Sequence, residues 1–149
     1  MQPAMSPKAH RILLLVAVLA IAGIVVSSLS LYHHYGTSKS SYCDFGASFN
    51  CDMVNRSVYS TVLGIPVALI GLLGYTALLL LSTLYRCKAE TPVMLLFGSL
   101  AGLGFALYLT YIEKFVLAVW CILCLSSLGV VFFIAVLASV LAADFVRKA

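Results

Sequence analysis

The sequence predicts an all-α membrane protein: a four-transmembrane-helix bundle with a redox-active extracytoplasmic loop between helices 1 and 2. Three observations carry that prediction. The chain is 63% hydrophobic and 9% charged, with a mean hydropathy of +1.11, more apolar surface than a soluble fold of 149 residues can hide. Its apolar runs reach the roughly 20 residues that a helix needs to cross the hydrocarbon core. Two cysteine pairs, Cys43 with Cys51 and Cys121 with Cys124, stand beside those runs. Residues 1–149 read as one membrane domain, with helices expected at 12–33, 61–84, 93–112 and 119–144.

The net charge is +4, and its placement says more than its size. With the runs as crossings, Lys8, Arg11, Arg86, Lys88, Arg147 and Lys148 fall on one side, and Lys39, Arg56 and Lys114 on the other. The positive-inside rule makes the first side cytoplasmic and puts both termini there. Both cysteine pairs then lie outside, which in bacteria is the oxidising periplasm where disulfides persist. Membrane lipid is the expected surrounding, a bacterial inner membrane the expected location, and no nucleic-acid partner is expected.

Residues 1–10 form a polar lead with Pro3 and Pro7. The run after Arg11 is longer than the ~7–15 apolar residues of a signal peptide and lacks a small-x-small cleavage site, so it reads as a retained crossing. Tyr32-His33-His34-Tyr35 marks its exit. Adjacent helical residues point about 100° apart and chelate poorly, so the His pair reads as interfacial and no metal is expected.

The long polar segment from Gly36 to Ser60 holds Cys43 and Cys51, seven residues between them. Long loops inside compact domains are functional or disordered, and a cysteine at each end argues for function. Asp52 to Tyr59 suggests a short helix, with Phe49, Met53, Val54 and Val58 resting on the membrane. Asn55-Arg56-Ser57 matches a glycosylation tripeptide, a frequent chance pattern.

The second crossing opens with Gly64-Ile65-Pro66, Pro suiting a first helical turn. Gly64, Ala68 and Gly71 share one face of it, open to close packing. Cys87 falls in the inside turn and reads as a free thiol without a role. The third crossing carries Gly98, Gly102 and Ala106 in small-x-x-x-small register. Glu113 and Lys114 read as solvated charges in the outer turn. With no ionisable residue expected inside a crossing, a channel or transporter is disfavoured.

The fourth crossing begins with Trp120-Cys121-Ile122-Leu123-Cys124. Helical positions three apart share a face, so these thiols can approach bonding distance at a first turn. The positive end of that turn favours the thiolate, which is the nucleophile in exchange. Leu125 stands where haem attachment needs His, and a zinc site needs two more ligands.

A loop pair, a membrane-edge C-x-x-C and four crossings together resemble the vitamin K epoxide reductase family, in its bacterial form without a fused thioredoxin domain. The resemblance rests on Cys43-Asp44, Cys51, Ser57, Gly64-Ile65-Pro66 and Cys121-Ile122-Leu123-Cys124. It implies a bundle around a quinone of ubiquinone, menaquinone or vitamin K type, with Cys124 against the ring and Ser57 near it. It implies that Cys43 forms a mixed disulfide with a separate reduced thioredoxin-fold, DsbA-like protein. Cys51 then resolves that bond and passes electrons to Cys121, and Cys124 passes them to the quinone. The implied activity is thiol:quinone oxidoreduction supporting disulfide formation, with Cys43, Cys51, Cys121 and Cys124 catalytic. Leu128 stands where animal members have an aromatic residue, and Val67 where they offer an amide. An animal-type quinone or epoxide reductase is therefore the alternative enzyme, and a disulfide-stapled tetraspan scaffold the alternative outside enzymes. The resting pattern stays open between a Cys43–Cys51 bridge and a Cys51–Cys121 crosslink.

Overall fold

A computed structural model describes residues 5–36, 49–85 and 88–148. The expectations for Cys43 and Cys87 fall outside these residues.

Helix α1 runs over Pro7–Tyr35. Ser6 caps it, its Oγ accepting the Ala9 N–H at 3.2 Å, and Pro7 suits the first turn because it has no N–H to leave unpaired. The helix therefore begins earlier than the expected residue 12, absorbing part of the polar lead. Helix α2, Cys51–Asn55, follows, then a 3₁₀ turn at Val58–Ser60. The single short helix expected over 52–59 is thus split. Val54 turns inward while Met53 and Val58 stay exposed.

The second crossing also differs from expectation. Residues 61–66 form a hairpin, β1 (Thr61–Val62) antiparallel to β2 (Ile65–Pro66). Leu63 and Gly64 both adopt positive φ, 54° and 83°, the signature of a tight type I′ turn. That reversal postpones the helix, so α3 spans only Val67–Thr83, with Pro66 as its cap. Gly64 therefore sits in the turn, off the packing face it was expected to share with Ala68 and Gly71.

Helix α4, Thr91–Ile112, continues without a break into a π turn, Glu113–Leu117, which left-handed Ala118 ends. Helix α5 is Ile122–Lys148. Among the described residues, three segments are long and apolar enough to cross a membrane: α1, α4 with its π turn, and α5. The apolar α3 is shorter, at 17 residues.

The helices are apolar on their outward faces too: Val18, Leu73, Phe97 and Phe133 are each 59–68% exposed. Water would oppose such surfaces and lipid does not. The protein is an integral membrane protein. Inside, Val16 and Ala20 of α1 meet Tyr75 and Leu78 of α3, Leu95 of α4, and Ile134 and Ala138 of α5. A Cβ at Gly23 would sit 2.4 Å from the Tyr75 ring, so only glycine lets the ring lie on α1. The Tyr75 hydroxyl donates to the Ser127 carbonyl at 2.9 Å and pairs with its Oγ at 2.8 Å, tying α3 to α5. The expected small-residue seam on α4 packs closely, since a Cβ at Gly102 would meet Val131 at 3.2 Å.

The start of α1 and the end of α5 meet through Lys8 Nζ and Asp144 Oδ2 at 2.8 Å. Cys51, Cys121 and Cys124 gather at the opposite end of the bundle.

Candidate functional site

Two short backbone segments bring the cysteines together. Phe49 pairs in parallel with Trp120, and the Asn50 N–H donates to the Trp120 carbonyl at 3.1 Å. Asn50 also starts α2, its Oδ1 accepting the Met53 N–H at 3.0 Å. The next residues, Cys51 and Cys121, fall in one buried cluster with Val54, Val119 and Leu123, with Cys124 packed against it. Cys121 sits just ahead of α5, its carbonyl accepting the Leu125 N–H at 3.0 Å, and Cys124 lies in the first turn. The expected spacing is realised with one thiol at the cap and one on the helix.

Cys121 and Cys124 are free thiols, while Cys51 is disulfide-bonded. A Cys51–Cys121 crosslink is therefore not the state of this structure. The hydrogen bond from Cys124 holds the Cys121 thiol below its usual pKa, helped by the backbone N–H groups of Leu123 and Cys124. Burial and the nearby Glu113 charge oppose that lowering without reversing it.

Two residues that the sequence reading assigned elsewhere belong to this site. Asn55 is buried, its Nδ2 donating to the Cys51 carbonyl at 3.0 Å and lying 3.9 Å from Cys121 Sγ. An amide so enclosed is no glycan acceptor. The Asn55 backbone carbonyl lies 2.5 Å from His34 Nδ1, a carbonyl that can only accept. Arg56 bonds the carbonyls of His33 and Gly36. His33 is buried as well, and the His pair at the end of α1 joins that helix to Asn55 of α2 and to Arg56 after it.

Glu113 is the second. Expected in solvent, it is 1% exposed. Its Oε2 accepts the Cys121 N–H at 3.1 Å, and its carboxylate interacts with the Cys124 thiol. Oε1 has no hydrogen-bond partner among the described residues. The expectation that no ionisable group is buried in a crossing is thus corrected: α4 runs through Glu113 without a break. The signal in the sequence was a lone carboxylate eight residues before Cys121, between two apolar runs.

Behind Cys124 opens a cavity of about 350 Å³. Its walls come mainly from α3 and α4, and Cys124, Asn55, and Ser27 and Ser30 of α1 are among its polar lining residues. Gly98, Gly102 and Ala106 line it, so the seam of small residues also makes room. Gly74 lines it too, and a Cβ there would meet nothing within 4 Å. Val67 lines the cavity as well, and the side-chain amide among its lining residues is that of Asn55. Ser57 faces a separate cavity of about 20 Å³ that it shares with Glu113 and Cys124, and its Oγ donates to the Val54 carbonyl at 2.8 Å.

A dithiol at the wall of an apolar cavity narrows the chemistry to thiol redox. The model of the vitamin K epoxide reductase family matches residues 14–139. The chain belongs to that family. As a vitamin K epoxide reductase family member it is a membrane oxidoreductase, and the match spans α1 through most of α5, with Cys51, Cys121 and Cys124 inside it.

Proposed function

We propose that this protein is a thiol:quinone oxidoreductase that draws electrons from a separate reduced thioredoxin-fold protein and so supports disulfide formation. One observation carries the reading: Cys124, a free thiol, lines the cavity, while its partner Cys121 is buried in one cluster with disulfide-bonded Cys51. The dithiol thus links a disulfide on one side to a ligand-sized space on the other.

The cavity suits a quinone. Its volume lies within the ~300–1,000 Å³ of small-molecule sites, which are mostly apolar with a few placed polar groups. Cys124, Asn55, Ser27 and Ser30 would hold the polar ring, and the apolar walls of α3 and α4 the tail. A quinone there supplies an acceptor for two electrons and two protons.

Within the chain, Cys43 would take the mixed disulfide with the partner. Cys51 would resolve it and pass electrons to Cys121, and Cys124 would release them into the cavity. Asn55 orients this exchange through its bonds to Cys51 and Cys121, and Ser57 supports the helix end beside it. Potentials need differ little along the path, since about 30 mV corresponds to 1.4 kcal/mol for a two-electron couple.

We place the protein as a single unit, with α3 as a fourth crossing, in a bacterial inner membrane. The basic end bearing Lys8, Arg11, Arg147 and Lys148 then faces the cytoplasm and the thiols face the periplasm. A stapled scaffold needs two closed bridges, and the Cys121–Cys124 pair is open.

The test is quinone reduction by purified protein in detergent, given a reduced thioredoxin-fold donor. Wild type turns over and Cys124→Ala does not, although it folds. Absence of turnover in wild type with both ubiquinone and menaquinone analogues rejects the reading, and turnover of an epoxide moves it to the animal-type activity.

A further inference from the structure

Glu113 has no part in the electron path, yet the fold delivers it to the dithiol. Where α4 would continue regularly, a π turn runs from Glu113 to Leu117, and the Val119 N–H returns to the Glu113 carbonyl at 3.1 Å. Such turns shift side chains off the regular helical face and recur at functional sites. This one buries a carboxylate against two thiols, one oxygen held by the Cys121 N–H and the other, Oε1, buried without a hydrogen-bond partner among the described residues. A buried, half-satisfied carboxylate calls for an explanation.

The chemistry supplies one. The thiolate, not the thiol, gives up electrons readily, and Cys124 lies in an apolar wall with little water to take its proton. We propose that Glu113 is the proton acceptor for the Cys124 thiol when the Cys121–Cys124 dithiol is oxidised. The inference rests on the thiol-oxidation reading above. Oxidation breaks two S–H bonds, forms one S–S bond and releases two electrons and two protons. The quinone takes both electrons and both protons, so no further reactant is needed. Inside the chain the step is transfer of the proton from Cys124 Sγ to Glu113 Oε1, after which Glu113 gives it up again.

The neighbours leave that role to Glu113. Among the described residues, the titratable groups that face it from the start of α5 are Cys124 and, just ahead of the helix, Cys121, and Tyr59 lines the small cavity it shares with Ser57, Ser60 and Asn55. His34 of α1 is engaged with Asn55 and Ser60. Lys114 lies over the Phe115 ring.

The decisive measurement needs no quinone. In Cys121→Ala protein, which keeps the backbone N–H at that position, alkylation of Cys124 by N-ethylmaleimide is followed by mass spectrometry as a function of pH. If Glu113 only burdens the thiol with its charge, E113Q frees the thiolate and alkylation speeds up. If Glu113 takes the proton, E113Q slows alkylation at neutral pH several-fold and abolishes the fall in rate as pH drops through the Glu113 titration. E113D, which keeps a carboxylate, restores part of the rate, as a folding defect would not. Equal or faster alkylation in E113Q overturns the proposal. In the quinone assay, E113Q is expected to lower kcat by roughly 10²-fold or more, the usual yield of a placed base, with KM little changed. A wild type that reduces no quinone rejects the proposed function, while the alkylation result still decides for or against Glu113.

Discussion

The N–H of Asn50 donates to the carbonyl of Trp120 at 3.1 Å, and the next residue after each is a cysteine. This backbone bond therefore helps set the register of Cys51 against Cys121. Packing of Cys51 and Val54 against Val119, Cys121 and Leu123 holds the same contact from the side chains.

That register predicts a crosslink. In Cys43→Ala/Cys124→Ala protein, mild oxidation yields a Cys51–Cys121 disulfide, detected as one linked peptide pair by mass spectrometry. Adding Asn50→Pro removes the donor N–H and slows the crosslink by roughly tenfold or more, since misplacements of about 1 Å act on that scale. Undiminished crosslinking in the Pro variant would show that the bond does not set the geometry.

Asn55 predicts a stability loss joined to a functional one. Asn55→Leu removes the side-chain hydrogen bond to the Cys51 carbonyl, and the net loss of one such bond costs about 0.5–1.5 kcal/mol. A lower midpoint of thermal unfolding in detergent is expected, with slower transfer from Cys51 to Cys121.

Two glycines on facing helices predict opposite outcomes. Gly23→Ala drives a methyl group into the Tyr75 ring, 2.4 Å away, and should destabilise by about 1–3 kcal/mol, the range for overpacking. Gly74→Ala meets nothing within 4 Å and projects into the cavity. Stability should hold or rise by up to about 1 kcal/mol from helix propensity, while KM for the quinone increases. Unfolding curves and quinone titrations of the two variants check both.

The lowered Cys121 pKa predicts a pH dependence. A depressed thiol pKa means that thiolate persists to lower pH than for an ordinary cysteine and is lost as pH falls through the folded value. Because the Cys124 hydrogen bond is the main cause, Cys124→Ser should keep much of the effect and Cys124→Ala little. Formation of the Cys51–Cys121 crosslink at mildly acidic pH should be several-fold faster in the Ser variant. The gain is tempered because nucleophilicity falls with pKa, with a Brønsted slope of about 0.4–0.5. Identical pH profiles would refute the assignment of cause.

The bundle and the C-x-x-C were legible in the sequence because both write themselves in composition and spacing. Long apolar runs have no other solvent than lipid, and Cys121 with Cys124 needed only helical geometry. Where the backbone leaves regular geometry, legibility stops. Leu63 is a poor residue for positive φ, so nothing announced the hairpin that shortens α3. Glu113 stands next to Lys114 between two crossings, where charges are usually wet, and only the π turn and left-handed Ala118 bring it inside. Asn55 was hidden in a common tripeptide, since its burial depends on how α2 docks against α1 and α5.

The brevity of α3 bears on the bilayer itself. At about 1.5 Å per residue, its 17 residues reach roughly 25 Å, short of the ~30 Å of an average hydrocarbon core. Leu63, 98% exposed at the hairpin tip, with Val62 and Ile65 beside it, extends that apolar length at the end that carries the thiols. With α3 as the proposed fourth crossing, lipid along this flank would either thin by a few ångströms or take up the tip of the hairpin, each at a cost of fractions of a kcal/mol per ångström. The flank formed by α3 is also one wall of the cavity, so under that proposal membrane thickness becomes a variable that bears on the shape of the space beside Cys124.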